Sequence, residues 1–333
     1  MSDVFVWAQE RFGVKTKLDH LAGDASSRDF YRLHLDDSTS YILMDSSRTP
    51  VWPWLDVHKL LESMKFPVPE IIFSDEHKGL IVQEDLGSFR LCDVEDEEIY
   101  QKHLFEALRL LRRMQREVSP EVAHNSIAGR RYFTASFFMA ELEHTLEHFF
   151  FRLLRVPVEE LLTLQEQFRI LSGKAMGSSK PVFTHRDFHS ANLMVHNEKL
   201  VFIDWQDARF GPPCYDLSSI LRDSYRDSGD TWKKLASSYI VSSGNSNMFD
   251  FVFAALQRNM KAIGTFAYQY RAMRNDNYLK FIPRTLRYFD AYAKECPAVK
   301  PAIDSILELV TTYVGEIDVR NYLESDEPKK IIL

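Results

Sequence analysis

Residues 181–207 read PVFTHRDFHSANLMVHNEKLVFIDWQD. Two apolar runs in this stretch, Val182–Thr184 and Leu200–Ile203, have the β-branched and aromatic content of short strands. The first opens into His185-Arg186-Asp187, with Asn192 five residues after the aspartate, and the second ends in Ile203-Asp204-Trp205-Gln206-Asp207. An aspartate and an asparagine on one loop, with a second aspartate after the next strand, match the needs of phosphoryl transfer. Asp187 can take the proton of an attacking hydroxyl, while Asn192 and Asp204 offer oxygen ligands to a Mg²⁺ ion on the phosphates of ATP. A lone Asp-x-x-x-x-Asn is common, and Asp or Asn after a strand is ordinarily turn chemistry. The reading rests on the conjunction of H-R-D-x-x-x-x-N, a short hairpin, and a second apolar run closing on Ile-Asp. His185 and His189, four apart, would suit a metal on a helical face, but they come after a strand.

Composition bounds the rest. The chain has 333 residues, 45% hydrophobic and 27% charged, which describes a globular protein with ample core in one large or two modest domains. No apolar run reaches the length of a membrane span, and Met1–Glu10 lacks the basic start and apolar stretch of a signal peptide. Cys92, Cys214 and Cys296 are scattered and form no C-x-x-C, which argues against a disulfide scaffold and a structural zinc site and for a cytoplasmic setting. A net charge of −7 argues against nucleic-acid binding by bulk electrostatics. No dimer seam stands out, so a monomer is expected.

Upstream of the loop, residues 1–20 are expected to hold a short helix carrying Phe5, Trp7 and Phe12. Gly23, Asp24, Ala25, Ser26 and Ser27 form a small-residue turn between extended segments, and such a turn lets backbone N–H groups approach phosphate oxygens. Arg28, just beyond it, is a candidate phosphate partner. Tyr31–Leu35, Ser40–Met44, Ile71–Ser74 and Leu80–Gln83 read as strands, and Trp54–Met64 reads as a helix stopped by Pro67 and Pro69. In kinases the strand equivalent to Ser40–Met44 carries a lysine for the α- and β-phosphates. Here that position is Met44, so another cation, Arg28 or Arg48, is expected to stand in. Glu62, where the partner of that lysine would lie, is then a solvated charge. Backbone groups at Gln83, Glu84, Asp85 and Leu86 are expected to bond the adenine.

After the acidic run Asp93–Glu98, which suits a helix start, the pattern turns helical, with an apolar stripe at Ile99, Leu104, Leu108, Leu111 and Met114. Further helices are expected over Tyr132–Leu154, Leu161–Leu171, Phe251–Met273 and Leu279–Ala293. Gly211-Pro212-Pro213 forces an extended turn. Asp216 is expected to cap a helix over Leu217–Tyr225, the alternative being a brace behind the catalytic loop. Residues 228–246 have loop-like composition. The expected fold class is α+β: a small β-rich nucleotide-binding lobe over residues 1–86 and a larger, mainly helical catalytic and substrate lobe over 87–333.

The segments GDASSRDFYRL (23–33), SYILMD (40–45), EDLG (84–87), HRDFHSANLM (185–194), FIDWQDARFGPPCYDLSSILRDSY (202–225), LQRNMKAIGTFAYQYR (256–271) and LKFIPRTLRYF (279–289) together resemble the aminoglycoside phosphotransferase superfamily. Within it the likeness is to bacterial anomeric kinases of N-acetylmuramate and N-acetylglucosamine, which act in cell-wall sugar recycling. The resemblance implies a protein-kinase-like two-lobe fold, with Asp187 as catalytic base and Asn192 and Asp204 as magnesium ligands. It also implies that Gly23–Ser27 cover the phosphates, with ATP as donor and an amino sugar as acceptor. Met44 in place of lysine fits that sugar-kinase group. A muramate carboxylate would need a cation, for which Arg222, Arg258 and Lys261 are candidates, and Asp207 is a further substrate candidate. The rivals are a phosphotransferase for aminoglycosides, choline or homoserine-like alcohols, and a nucleotide-binding pseudokinase that serves as a partner-binding module. A protein kinase is disfavoured, because only Ala208–Tyr215 separates Asp204 from the next helix and leaves no room for an activation loop.

Overall fold

The run Ser-Tyr-Ile-Leu-Met-Asp becomes the middle strand of a five-stranded antiparallel sheet. The computed structural model describes residues 3–13, 16–21, 28–35, 39–177 and 179–313, so the expected phosphate turn Gly23–Ser27 lies outside the described residues. The chain divides into two compact units, one of residues 1–107, 125–127 and 191–207, the other of the remainder.

The first unit begins with helix α1 (Asp3–Phe12) and strands β1 (Lys17–Leu21), β2 (Asp29–His34) and β3 (Ser40–Asp45). Helix α2 (Trp52–Ser63) comes next, then β4 (Ile71–Asp75) and β5 (Leu80–Glu84), with spatial order β1-β2-β3-β5-β4. Ile42, Leu43 and Met44 of β3 are all buried, as consecutive residues are when both faces of a strand are covered. Trp7 and Ala8 of α1 close one apolar cluster with Leu33, Leu43, Leu80 and Val82. Helix α1 is the short helix expected in residues 1–20, and strand β1 is the extended segment expected before the small-residue turn. Its sequence KLDHL is mostly polar, and its place is set by pairing with β2, Leu18 opposite Leu33. Glu62 on α2 is exposed, as expected.

A hairpin, Leu193–His196 with Lys199–Phe202, turns through Asn197 and Glu198 at φ 48° and 60°, the positive pair that matches strand twist in a two-residue turn. It is tied into the first unit: Val195 N–H donates to the Phe89 carbonyl at 2.9 Å and Phe202 N–H to the Pro67 carbonyl at 2.7 Å. Trp205, just past it, donates its indole N–H to the Trp54 carbonyl at 3.1 Å, with the two rings 4.9 Å apart. These bonds place residues 191–207 with the first unit by contact, although the sequence put everything after residue 86 in the second lobe.

Helix α3 (Glu97–Glu117) begins in the first unit and ends in the second. Beyond it lie α4 (Ala135–Thr145), a π-helical turn over Leu146–Leu153, and α5 (Val158–Ala175). The strand Val182–Thr184 pairs antiparallel with Arg209–Gly211. Then come α6 (Cys214–Leu221), α7 (Trp232–Ser243), α8 (Met248–Met273), α9 (Phe281–Arg287), α10 (Phe289–Glu295) and α11 (Lys300–Tyr313). Helix α8 is buried nearly all round, with Phe251, Leu256, Met260, Ile263 and Phe266 in the core, and α4, α5, α6, α9 and α10 pack on it. It starts in a reciprocal cap, Asn247 and Asp250 each accepting the other's backbone N–H. Gly264 permits a close approach of α8 to α4: a Cβ there would lie 2.4 Å from Thr145 Oγ1.

Helix α7 occupies the segment expected to be a loop. Serines mask it, but Trp232, Ala236, Tyr239 and Ile240 give it a buried face at helical spacing. The single helix expected over Leu279–Ala293 is two, divided at Tyr288.

Candidate active site

The strand Val182–Thr184 delivers the chain to His185, and two carboxylates from behind fix the backbone from there to Ser190. Asp216 accepts the backbone N–H of His185 at 2.6 Å and of Arg186 at 3.0 Å. Asp223 accepts the N–H of Ser190 at 2.7 Å and of Tyr225 at 2.8 Å. The expectation that Asp216 caps a helix is corrected: Pro213 holds the N-cap position without a side-chain bond, and Asp216 lies inside the first turn of α6, braced against the loop. With Asp216, Arg186 is held at φ 80°, a left-handed conformation that costs a non-glycine residue energy unless its surroundings enforce it. Burial pushes the Asp216 carboxyl up to about 7, against the pull of the two N–H bonds.

Asp187 faces α8. Lys261 Nζ donates to its Oδ1 at 2.8 Å and Arg258 Nη2 to the same oxygen at 3.3 Å. Burial by itself would raise this carboxyl, but the charges of Lys261, Arg186 and Arg258 outweigh it and hold Asp187 well below the usual carboxylate range. Burial lowers the Lys261 ammonium, with Asp187 opposing. Glu141 of α4 joins the cluster, accepting from Arg186 at 3.1 Å and from Gln257 at 2.9 Å, with Lys261 3.9 Å away. Burial, then Arg258, brings the His189 imidazole to about 3, and its ring lies 4.9 Å from Tyr225. It is therefore neutral.

In the first unit, Asp204 follows the second strand of the hairpin by two residues and sits at φ 67°, another non-glycine residue in the left-handed region. Ile203 N–H donates to the Asn192 carbonyl at 3.1 Å, which brings the two side chains together: Asn192 Nδ2 reaches Asp204 Oδ2 at 3.4 Å. Gln206 Nε2 donates to Asp204 Oδ1 at 2.7 Å. Turning the Asn192 amide over presents its oxygen instead of its nitrogen. A carboxylate and an amide oxygen fixed side by side are hard donors of the kind Mg²⁺ takes while keeping water and phosphate oxygens as its other ligands. These residues fit the ion.

The cations expected to replace the lysine at Met44 differ in placement. Met44 is wholly buried in the sheet. Arg48 is exposed and paired with Asp29 at 2.7 Å. Arg28 is more buried: burial lowers its guanidinium, while the facing charges of Asp204 and Asp207 raise it, and its Nε donates to Ser46 Oγ at 3.3 Å. Arg28, Asp204 and Asp207 therefore share one electrostatic neighbourhood. Of the expected adenine segment, Gln83 is buried in β5, Glu84 donates its N–H to the Glu70 carbonyl at 2.8 Å, and Leu86 offers its carbonyl to His196 at 3.2 Å. The Asp85 carboxylate is taken up by Arg32 at 2.7 Å, Ser40 at 2.7 Å and the Gly87 N–H at 2.9 Å.

Arg222, expected to serve substrate, packs among aromatic rings. Its guanidinium lies 3.7 Å from the centre of the Tyr288 ring, 4.7 Å from Trp232 and 5.5 Å from Tyr292. At 4% exposure it is a packed core cation. The sequence reading missed Glu141 and Asp223. Glu141 occupies an ordinary helix with no motif around it, and Asp223 fell inside the helix expected over Leu217–Tyr225, which in the structure ends at Leu221.

Residues 18–236 match the model of the phosphotransferase enzyme family. An N-acetylmuramate/N-acetylglucosamine kinase of Neisseria meningitidis serogroup B is 27% identical over 88% of this chain and 90% of its own. A protein of the same name from Pseudomonas putida is 25% identical over 93% and 92%. Among solved structures, the ADP-bound aminoglycoside phosphotransferase APH(2'')-Ib aligns with TM-score 0.57 at 18% identity, covering 85% of this chain and 97% of that one. Choline kinase LicA from Streptococcus pneumoniae aligns with TM-score 0.58 at 12% identity, covering 89% and 98%. At such identities the likeness is one of fold, and the fold is protein-kinase-like.

Proposed function

The chain belongs to the phosphotransferase enzyme family, and from that premise we propose that it transfers the γ-phosphate of ATP to the anomeric hydroxyl of N-acetylglucosamine or N-acetylmuramate. The observation that carries this reading is the Asp187 carboxylate held ionised by Lys261 and Arg258. A carboxylate so stabilised is a weak base, suited to a hydroxyl that gives up its proton readily. The anomeric hydroxyl of a sugar is more acidic than an ordinary alcohol. The names of the relatives support the amino sugar.

In the proposed reaction the acceptor hydroxyl gives its proton to Asp187 as its oxygen bonds to the γ-phosphorus. The bond from that phosphorus to the bridging oxygen breaks, and ADP leaves with the electron pair. Asp216 and Asp223 keep the loop that carries Asp187 in place. Asn192 and Asp204 would hold Mg²⁺, which when bound offsets charge on the phosphates. Arg28 takes the phosphate charge that the missing lysine would meet, oriented by Asp207. Backbone groups of 83–86 receive the adenine, and Gly23–Ser27 cover the phosphates. The division into a nucleotide-binding lobe, residues 1–86, and a catalytic lobe, 87–333, belongs to this reading. So do a monomeric state and a cytoplasmic setting; among the described residues no helix is long and apolar enough to cross a membrane.

The test is an acceptor panel with purified protein and ATP, read as ADP release. The two amino sugars should be turned over, and N-acetylglucosamine blocked as its methyl glycoside should not. Faster turnover of kanamycin or choline than of either sugar would overturn the proposal.

A further inference from the structure

We propose that Lys261 is a catalytic cation of the transfer, its ammonium holding an oxygen of the phosphoryl group as that group passes to the acceptor. This rests on the reading of Asp187 as the base.

An ammonium carries three N–H donors. Among the described residues Lys261 spends one in a hydrogen bond, to Asp187, and its next contact, Glu141 at 3.9 Å, is beyond hydrogen-bond reach. The side chain is 14% exposed, so little water reaches the remaining donors. One turn before it on α8, Arg258 shares the same Asp187 oxygen, and its Nε is buried with no hydrogen-bond partner among the described residues. Holding a carboxylate in place needs one cation; two converge here, both with donors unspent. Buried donors without acceptors cost free energy, which an arriving anion would restore.

The position identifies the anion. A hydroxyl activated by Asp187 lies about 3 Å from its carboxylate. The phosphorus under attack lies roughly 3–3.5 Å beyond that hydroxyl oxygen. Phosphoryl oxygens then come within a few ångströms of a nitrogen that is 2.8 Å from Asp187 Oδ1. In a loose transition state those oxygens carry the charge. The carboxylate of N-acetylmuramate is the other anion that this pair could receive.

Lys261→Met, Lys261→Arg and Lys261→Gln separate the cases. Glutamine keeps an N–H toward Asp187 without the charge, and carries the comparison should the buried methionine cost the fold. The uncharged variants are expected to lose about a hundredfold in kcat with both sugars. Their affinity for ADP with fluoroaluminate, a mimic of the transferring group, should fall at least tenfold while that for ADP alone holds, and arginine should recover much of both. Two results would overturn the inference. One is an unchanged fluoroaluminate affinity beside a lowered kcat, meaning that Lys261 only positions Asp187. The other is a raised KM for N-acetylmuramate alone with kcat unchanged, meaning that it receives the sugar carboxylate. Failure of the function reading shows separately, as a wild-type protein that phosphorylates neither sugar; the fluoroaluminate comparison still decides the role of Lys261.

Discussion

The Asp216 carboxylate accepts the backbone N–H of His185 at 2.6 Å. A side chain from α6 thereby fixes the loop just before the carboxylate that faces Lys261 and Arg258. In Asp216→Asn one acceptor oxygen becomes an amide N–H set against a backbone N–H. That buried mismatch should lower stability by about 1–3 kcal/mol. It should also lower kcat by about ten- to hundredfold through misplacement of Asp187, with KM for ATP little changed. Thermal denaturation and steady-state kinetics on the same preparation check both.

The same carboxyl sets a pH dependence of stability. Its folded value, about 7, lies above the unfolded value of 3.8, so the folded protein binds a proton there that the unfolded chain has released. The associated stability is fully present below pH 3.8 and is lost as pH rises toward about 7. The slope from this group is at most about 1.4 kcal/mol per pH unit. Denaturant unfolding at a series of pH values, wild type against Asp216→Asn, should show the difference between them changing across that window and flat above it.

Asp187 behaves in the opposite sense. Its carboxyl is held below the ordinary range, so the ionised form needed for activity persists under mild acid. The profile of kcat/KM for N-acetylglucosamine should show no loss attributable to this group above about pH 4, the ordinary aspartate value. In Lys261→Met the acid limb should move upward. Asp187→Ala should reduce phosphorylation by about 10²–10⁴-fold while ADP still binds.

Arg28 and Arg48 should separate cleanly. Arg28→Met removes the cation beside Asp204 and Asp207. KM for ATP should rise about tenfold, as for one charge-assisted bond. Arg48→Met breaks an exposed ion pair, which is worth about 0–1 kcal/mol, and KM for ATP should stay near wild type. Isothermal titration with ATP reads both variants directly.

Arg222→Leu should cost stability, about 1–3 kcal/mol from the lost cation–π and packing contacts, and leave both KM values unchanged. Melting curves beside kinetics with N-acetylmuramate check it. A selective rise in KM for that sugar would place Arg222 at the substrate.

How much the sequence discloses depends on how local the causes are. Strands β2 to β5 and helices α2, α3 and α8 announce themselves through apolar period and turn residues, and Asp187, Asn192 and Asp204 through fixed spacing on one short stretch. Helix α7 hides its buried face among serines. Asp216 fits the pattern of a helix cap because its partners, the N–H groups of His185 and Arg186, are some thirty residues away along the chain. Arg222 is a charged residue whose ring partners come from α7, α10 and Tyr288 between the last helices, so only the assembled fold reveals it as core. Lys261 and Arg258 could be named as cations of interest, but not that both turn onto Asp187.

The most direct measurement is a phosphorus NMR spectrum of the products from N-acetylglucosamine, ATP and magnesium. A sugar 1-phosphate should appear as ATP becomes ADP, and it should be absent with Asp187→Ala. A 6-phosphate, or ADP formed without any sugar phosphate, would contradict phosphoryl transfer to the anomeric hydroxyl.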